Sequence, residues 1–182
     1  MNVLSLFDGM SCGKIALDRA GISVDTYYAA EVDVHAIKVA QANYPTTKHL
    51  GSVTEWRGWD IDWASIDLLI GGSPCQGFSF AGKQLAFDDP RSKLFFVYVD
   101  ILNHIRSVNP GLLFMLENVK MKSAHLDVMS DALGVAPVFI NSALVSAQNR
   151  QRLYWANWEF DAPEDCRITW GDIREHEAPK CH

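Results

Sequence analysis

The sequence predicts an α/β domain built on a mainly parallel sheet with flanking helices. Three observations carry that prediction. Short apolar runs alternate with amphipathic ones. The apolar runs end in loops that carry glycine or an acid. The 182 residues, 48% hydrophobic and 21% charged, have the size and composition of one ordinary globular domain. Residues 2–7, "NVLSLF", form a strand that stops in the turn "DGMSCG". Residues 14–21 read as a helix with Gly21 as its stop. Residues 26–32, "TYYAAEV", are strand-like, and 34–45 are helical up to a proline. Residues 66–72, "IDLLIGG", are a buried strand, and 93–106 carry apolar residues at helical spacing. Residues 111–118, "GLLFMLEN", are a second buried strand, followed by a helix over 125–134. Residues 137–147 and 151–158 are strand candidates, rich in aromatic and β-branched side chains. Parallel sheets of this kind place ligand-binding loops at the carboxyl ends of their strands. "FDGMSCG", "GGSPCQGFS" and "ENVKM" all fall at such ends.

Composition limits what the chain does. Its 16 Lys and Arg against 22 Asp and Glu give a net charge of -6. A chain that grips nucleic-acid phosphates over its whole surface is basic, so any such grip must be local or belong to another chain or domain. Cys12, Cys75, Cys166 and Cys181 form no CxxC pair and no Cys/His cluster of zinc-like spacing, so no metal is expected. Free thiols in a reducing cytoplasm fit this usage. No run is long enough for a membrane span, and the first residues lack the basic region of a signal peptide.

The loops carry the chemistry. Gly9 and Gly13 let the backbone turn sharply and a ligand come close, or they form a merely structural turn. Their spacing is not GxGxxG, so a dinucleotide pyrophosphate is not the expected ligand. Glu31, at the end of the second strand, can accept from both hydroxyls of a ribose. With the glycine loop it suggests a nucleoside-containing cofactor. Cys75 is either a small buried hydrophobe or a thiol projected into a cleft by Pro74 and the glycines around it. In the second case its thiolate would be the nucleophile. Glu117 ends an apolar strand, where an acid either caps the surface or faces a pocket, and a buried glutamate can donate as well as accept a proton. Arg150 and Arg152 are two apart, hence on one face of a strand, either solvated or turned toward the site.

The order FxGxxxG, SPCQ, ENV and QxRxR resembles the cytosine-C5 DNA methyltransferases, and the likeness runs from Asn2 to about Trp158. Within that family "LSLFDGMSCGKIALDRAGI" and "SKLFFVYVDILNHIRSVNPGLLFMLENV" are most similar to the animal de novo enzymes and their bacterial and phage relatives. The resemblance implies a Rossmann-like fold that uses S-adenosyl-methionine. It places Phe7, Asp8, Gly9 and Gly13 beside the methionine part, Glu31 on the ribose and Val32 against the adenine. The family's GDV segment stands here as Gly51, Ser52 and Val53, where Ser52 makes the aspartate's contact a neutral one. Pro74 and Leu94 would line the donor pocket. The implied reaction is methyl transfer to carbon 5 of cytosine in DNA, with the base flipped out of the duplex. The Cys75 thiolate would add to carbon 6, Glu117 would bind N3 and the exocyclic amino group, and Arg152 and Arg150 would serve the base carbonyl and the thiolate's surroundings. Asn118, Ser79 and the hydrophilic segment 76–91 would close around the base. No side chain is assigned to removing the proton from carbon 5, a step open to water.

Family members continue well beyond "QRLYWANW" into a target-recognition region and a final segment. Residues 1–182 are therefore expected to form a single catalytic domain, truncated relative to the family, without a target-recognition domain. The absent parts would come from a second polypeptide or be replaced by homo-oligomerisation, unless the chain is a remnant. A tRNA cytosine methyltransferase and a non-catalytic partner subunit are the alternative functions. Placement in the cytoplasm or on the nucleoid is expected, with no membrane partner.

Overall fold

The computed structural model of the chain describes residues 1–74 and 93–174. Seven strands, β1 (Asn2–Leu6), β2 (Thr26–Ala30), β3 (Lys48–His49), β4 (Leu68–Gly71), β5 (Leu113–Val119), β6 (Val138–Asn141) and β7 (Gln151–Ala156), form one sheet in the order β3-β2-β1-β4-β5-β7-β6. Helices α1 (Cys12–Arg19), α2 (Val34–Asn43), α3 (Lys93–Val108), α4 (Ser123–Leu133) and α5 (Trp170–Ile173) complete the described chain. The pairs β2–β3, β1–β2, β1–β4 and β4–β5 are parallel. Strand β7 runs antiparallel to both β5 and β6. The mainly parallel sheet is as predicted; its antiparallel strand and the two-residue β3 were not.

Burial explains the strand patterns. Strand β1 is covered on both faces and reads as a continuous apolar run. Leu4 and Leu6 enter the larger core, while Val3 packs with Leu17, Tyr27 and Ile70 on the other side. Strand β5 alternates instead: Phe114, Leu116 and Asn118 are buried, and Met115, Glu117 and Val119 take the opposite face. Helix α3 turns Phe95, Tyr98, Ile101, Leu102 and Ile105 into the larger core, against Phe114 and Trp155. Each such fully buried side chain contributes about 1.5–3 kcal/mol by transfer from water. Helix α2 is fixed at its start by Asp33, whose carboxylate accepts from His35 N (2.8 Å) and Ala36 N (3.3 Å).

Several boundaries depart from expectation, and three of them have a plain local reason. The strand predicted over 137–147 stops at Asn141. There the Asn141 Oδ1 accepts from Ala143 N (3.2 Å) and Arg150 N (3.0 Å), turning the chain into a 3-10 turn at Ser142–Leu144. The last strand ends at Ala156, two residues early. Asn157 uses its side chain as a substitute ladder residue, accepting from Phe114 N and donating to Leu112 O, both at 2.8 Å. Helix α1 begins at Cys12 and so takes in Gly13. A Cβ at Gly13 would run into the Ile70 side chain and come within 3.1 Å of Tyr27 Oη. Helix-to-sheet packing therefore explains this glycine.

The chain leaves β1 toward β2 and β3 on one side, then returns to build β4 and β5 on the other. The reversal opens a crevice outside the carboxyl ends of β1 and β4, where open α/β sheets bind ligands.

Candidate functional site

The loop after β1 is unusual in its backbone. Phe7 (φ 57°), Gly9 (φ 59°) and Ser11 (φ 63°) are all left-handed. For the two non-glycine residues this conformation costs of order 1–3 kcal/mol each, so the surroundings must enforce it. Asp8 does much of that. It is only 8% exposed and accepts from Ser11 Oγ (2.5 Å) and Tyr27 Oη (2.7 Å). Burial, and then the charge of Asp8, raise the Tyr27 pKa. The loop's other tie is Glu31: Gly9 N donates to its Oε2 (2.8 Å), and Val32 N and Asp33 N donate to its Oε1 (2.7 and 2.8 Å). A carboxylate offers about four acceptor sites, so three amides hold Glu31 in place and leave capacity for a hydroxyl.

These residues open onto a cavity of about 190 Å³ lined by Phe7, Ala30, Glu31, Val32, Gly51, Ser52, Val53, Pro74 and Leu94. Phe7, Glu31, Val32, Ser52, Val53, Pro74 and Leu94 were all expected at a donor pocket. Its walls are mostly apolar, with one carboxylate: the chemistry of a flat heterocycle that carries a hydroxylated sugar. Asp8 and Gly13, expected beside the methionine part, do not line it. Asp8 is turned inward to Tyr27, and Gly13 is pressed against Ile70. Gly9 serves through its N–H to Glu31. The Ser52 hydroxyl is engaged with Thr54, accepting from its N (3.3 Å) and lying 2.8 Å from its Oγ1.

A second cluster forms where β5 ends and β7 begins. Val119 pairs with Arg152 across the ladder, and Glu117 with Tyr154. Arg152 Nε lies 2.6 Å from Glu117 Oε1, whereas Arg150 Nη2 reaches the same oxygen only at 3.8 Å. Arg152 Nη1 also donates to Gln151 O (2.8 Å). Burial, and then the charge of Glu117, raise the Tyr154 pKa. Asn118, expected at the flipped base, points to the other face. It is 1% exposed, and its Nδ2 donates to Ser73 O (3.3 Å) and Ser73 Oγ (3.2 Å).

Residues 72–74 join the two clusters. A Cβ at Gly72 would stand 3.1 Å from Glu117 Oε2, Ser73 is clasped by Asn118, and Pro74 is in the cavity wall. Cys75 and Ser79 lie outside the described residues. The sequence reading missed Ala30 and Tyr27, and gave Gly72 only as one of the glycines that shape the loop around Cys75. Gly72 had a readable signal, a second glycine between a strand and the "SPC" segment; Ala30 and Tyr27 had none beyond their place in a strand.

Among the described residues no helix is long and apolar enough to cross a membrane, and no group of three or more His, Cys, Asp or Glu could hold a metal ion. The family described as C-5 cytosine-specific DNA methylase matches residues 1–161. The orphan methyltransferase M.SPRI of Bacillus phage SPR is 35% identical over 170 residues, covering 85% of this chain and 37% of that protein. The type II methyltransferase M1.ScrFI of Lactococcus lactis subsp. cremoris is 34% identical over 163 residues, covering 84% of this chain and 40% of that protein. In fold, the chain is similar to the crystal structure of a Spodoptera frugiperda DNMT2 mutant, with a TM-score of 0.62 at 22% identity, over 92% of this chain and 54% of that one. The chain thus spans well under half the length of either bacterial or phage relative.

Proposed function

Because this chain belongs to the C-5 cytosine-specific DNA methylase family, we propose that it binds S-adenosyl-methionine and carries the groups that methylate carbon 5 of cytosine in DNA. One observation supports this above the others. The three residues before Cys75 run from the Glu117 carboxylate to the wall of a mostly apolar cavity that carries one carboxylate, Glu31. Sequence continuity makes Cys75 the next residue after that wall.

The cavity residues fit the adenosyl part of the donor. Phe7, Val32, Val53 and Leu94 offer apolar surface to adenine, and Glu31 offers an acceptor to the ribose. When bound, the donor supplies a methyl group on a positively charged sulfur. The Cys75 thiolate adds to carbon 6 of a flipped cytosine, forming a carbon–sulfur bond and making carbon 5 nucleophilic. Glu117 holds N3 and the exocyclic amino group while charge builds on the ring. Carbon 5 takes the methyl group as the donor's methyl–sulfur bond breaks; its proton then passes to water, the carbon 5–carbon 6 double bond re-forms and the bond to the Cys75 sulfur breaks, which restores the thiolate. Arg152 fixes the Glu117 carboxylate through Nε and keeps further guanidinium donors for the base carbonyl. Asn118 acts indirectly, by holding Ser73 and hence the path into Cys75.

The two methyltransferases share only 37% and 40% of their length with this chain, whose net charge is -6. We assign most of the phosphate-gripping surface to polypeptide outside the shared stretch, carried in the same protein or on a partner. Transfer of labelled methyl groups to DNA and to tRNA, with and without Cys75→Ala, tests the reading. Transfer to DNA that the substitution abolishes supports it, as does a covalent adduct with DNA containing 5-fluorocytosine. Transfer to tRNA alone, or transfer to DNA that survives the substitution, overturns it.

A further inference from the structure

We propose that the donor cavity is open at its purine end, so that this chain also takes S-adenosyl compounds enlarged at the purine 6-amino group; this rests on the donor reading above. Strand order decides which end holds the purine. Gly51, Ser52 and Val53 follow β3, Glu31 follows β2, Phe7 follows β1 and Pro74 leads on from β4, and these strands lie side by side in that order. The wall residues are therefore laid out in the same order along one rim of the sheet. In the donor the ribose stands between the purine and the sulfur. With the ribose on Glu31 and the sulfur toward the Cys75 side, the purine falls on the β3 side.

The polar groups of the wall read the two ends differently. Among the described residues only Glu31 and Ser52 bring polar side chains to it. Glu31 is fixed by the amides of Gly9, Val32 and Asp33 and keeps acceptor capacity for a ribose hydroxyl. The 6-amino edge of the purine, the part farthest from the ribose, comes up to Gly51 and Ser52. Ser52 offers a single hydroxyl there, turned to Thr54: it accepts from Thr54 N (3.3 Å) and lies 2.8 Å from Thr54 Oγ1. Such an oxygen can use one N–H of the amino group, and an alkylated amino group keeps one.

Space decides the rest. Ala30 and Val53 are buried and back the cavity, whereas Val32 is 68% exposed and Gly51 is exposed as well. A Cβ on Gly51 would meet no atom within 4 Å. Its φ of 76° disfavours any side chain that would fill that space. The wall is thus interrupted between Val32 and Gly51, next to the purine edge. A group carried on the 6-amino nitrogen runs out through this gap into solvent.

The test is calorimetric titration of the full chain with S-adenosyl-homocysteine, with its derivative benzylated on the 6-amino nitrogen, and with its 2′-O-methyl derivative. The benzyl compound should bind within about tenfold of the parent, the scale of one hydrogen bond. The 2′-O-methyl compound should lose more than about tenfold, because Glu31 then faces an ether in place of a donor. Val32→Trp sets a large ring across the gap and should lower the benzyl-to-parent affinity ratio by at least about tenfold. Val34→Trp, also exposed but outside the wall, should leave that ratio unchanged. A benzyl compound bound more than about tenfold less tightly than the parent overturns the open end and leaves the donor reading standing. A ratio that Val32→Trp does not move, or that Val34→Trp lowers as much, overturns the gap between Val32 and Gly51. A 2′-O-methyl compound bound as tightly as the parent overturns the orientation on which the gap rests. If none of these compounds binds, the donor reading fails and the proposal with it.

Discussion

Replacing Tyr27 with phenylalanine removes one oxygen from the middle of the molecule and tests how the loop after β1 is held. Tyr27 is 4% exposed and donates to Asp8 Oδ1 at 2.7 Å; Asp8 is itself 8% exposed and, among the described residues, keeps only Ser11 Oγ as a further side-chain donor. A hydrogen bond to a charged group contributes about 1.5–3 kcal/mol, and no water can readily replace a hydroxyl at this depth. An unfolding entropy of about 2.1 cal/mol/K per residue gives roughly 0.4 kcal/mol/K for 182 residues. The expected loss in Tm is therefore about 4–8 °C. Because Asp8 enforces the left-handed turn at Phe7 and Ser11, affinity for S-adenosyl-methionine should fall as well. Thermal unfolding by circular dichroism and titration calorimetry with the donor measure the two effects. A double-mutant cycle with Ser11→Ala should show the two hydroxyls to be coupled, since they share one carboxylate. A Tm within about 1 °C of wild type, with donor affinity unchanged, would refute the claim that Asp8 is buried for the loop's sake.

Two further outcomes follow from the geometry. Gly72→Ala should lower kcat for methyl transfer roughly fivefold while stability stays within about 1 kcal/mol, because displacements well under an ångström at a reacting group are felt in rate. Its new Cβ would sit 3.1 Å from Glu117 Oε2, and Gly72 is not among the left-handed glycines. An unchanged kcat would show that Glu117 need not be held where it is. Burial raises the pKa of Tyr27, Tyr98 and Tyr154, helped by the charge of Asp8 at the first and Glu117 at the last. The folded state thus holds these protons more tightly than the unfolded chain, whose tyrosines titrate near about pH 10. Their contribution is complete below that pH and is lost as pH rises through and beyond it. Urea midpoints measured from about pH 8 to 11 should decline above about pH 10, less steeply in Tyr27→Phe; a midpoint that stays level would contradict the burial argument.

How much of the site was legible depends on the range over which each residue acts. Glu31 was readable because it ends a strand, and strand ends in such sheets converge on one crevice, whereas Pro74 came from the family resemblance. The apolar wall residues Phe7, Val53 and Leu94 came from the family resemblance. For Asp8 the motif says where the residue is, not which way it turns. Its direction is set by Tyr27, 19 positions away in the chain and brought close by β1–β2 pairing. Gly13 likewise has a packing partner that its motif does not show, Ile70 on β4. The expected shared strand face did not form: Arg150 precedes β7, and the ladder register puts Arg152, the arginine the sequence favoured, against Glu117.

The sequence by itself determined the alternation of strands and helices, the mainly parallel sheet, the family, and the set of loops that gather at one end. These follow from hydrophobic period and from short motifs, which are local properties of the chain. Tertiary structure alone decided the antiparallel place of β7, the inward turn of Asp8 and the pairing of Arg152 with Glu117. Each of these is a contact between segments far apart along the chain. Its partner is chosen by strand order and register, which no local pattern specifies.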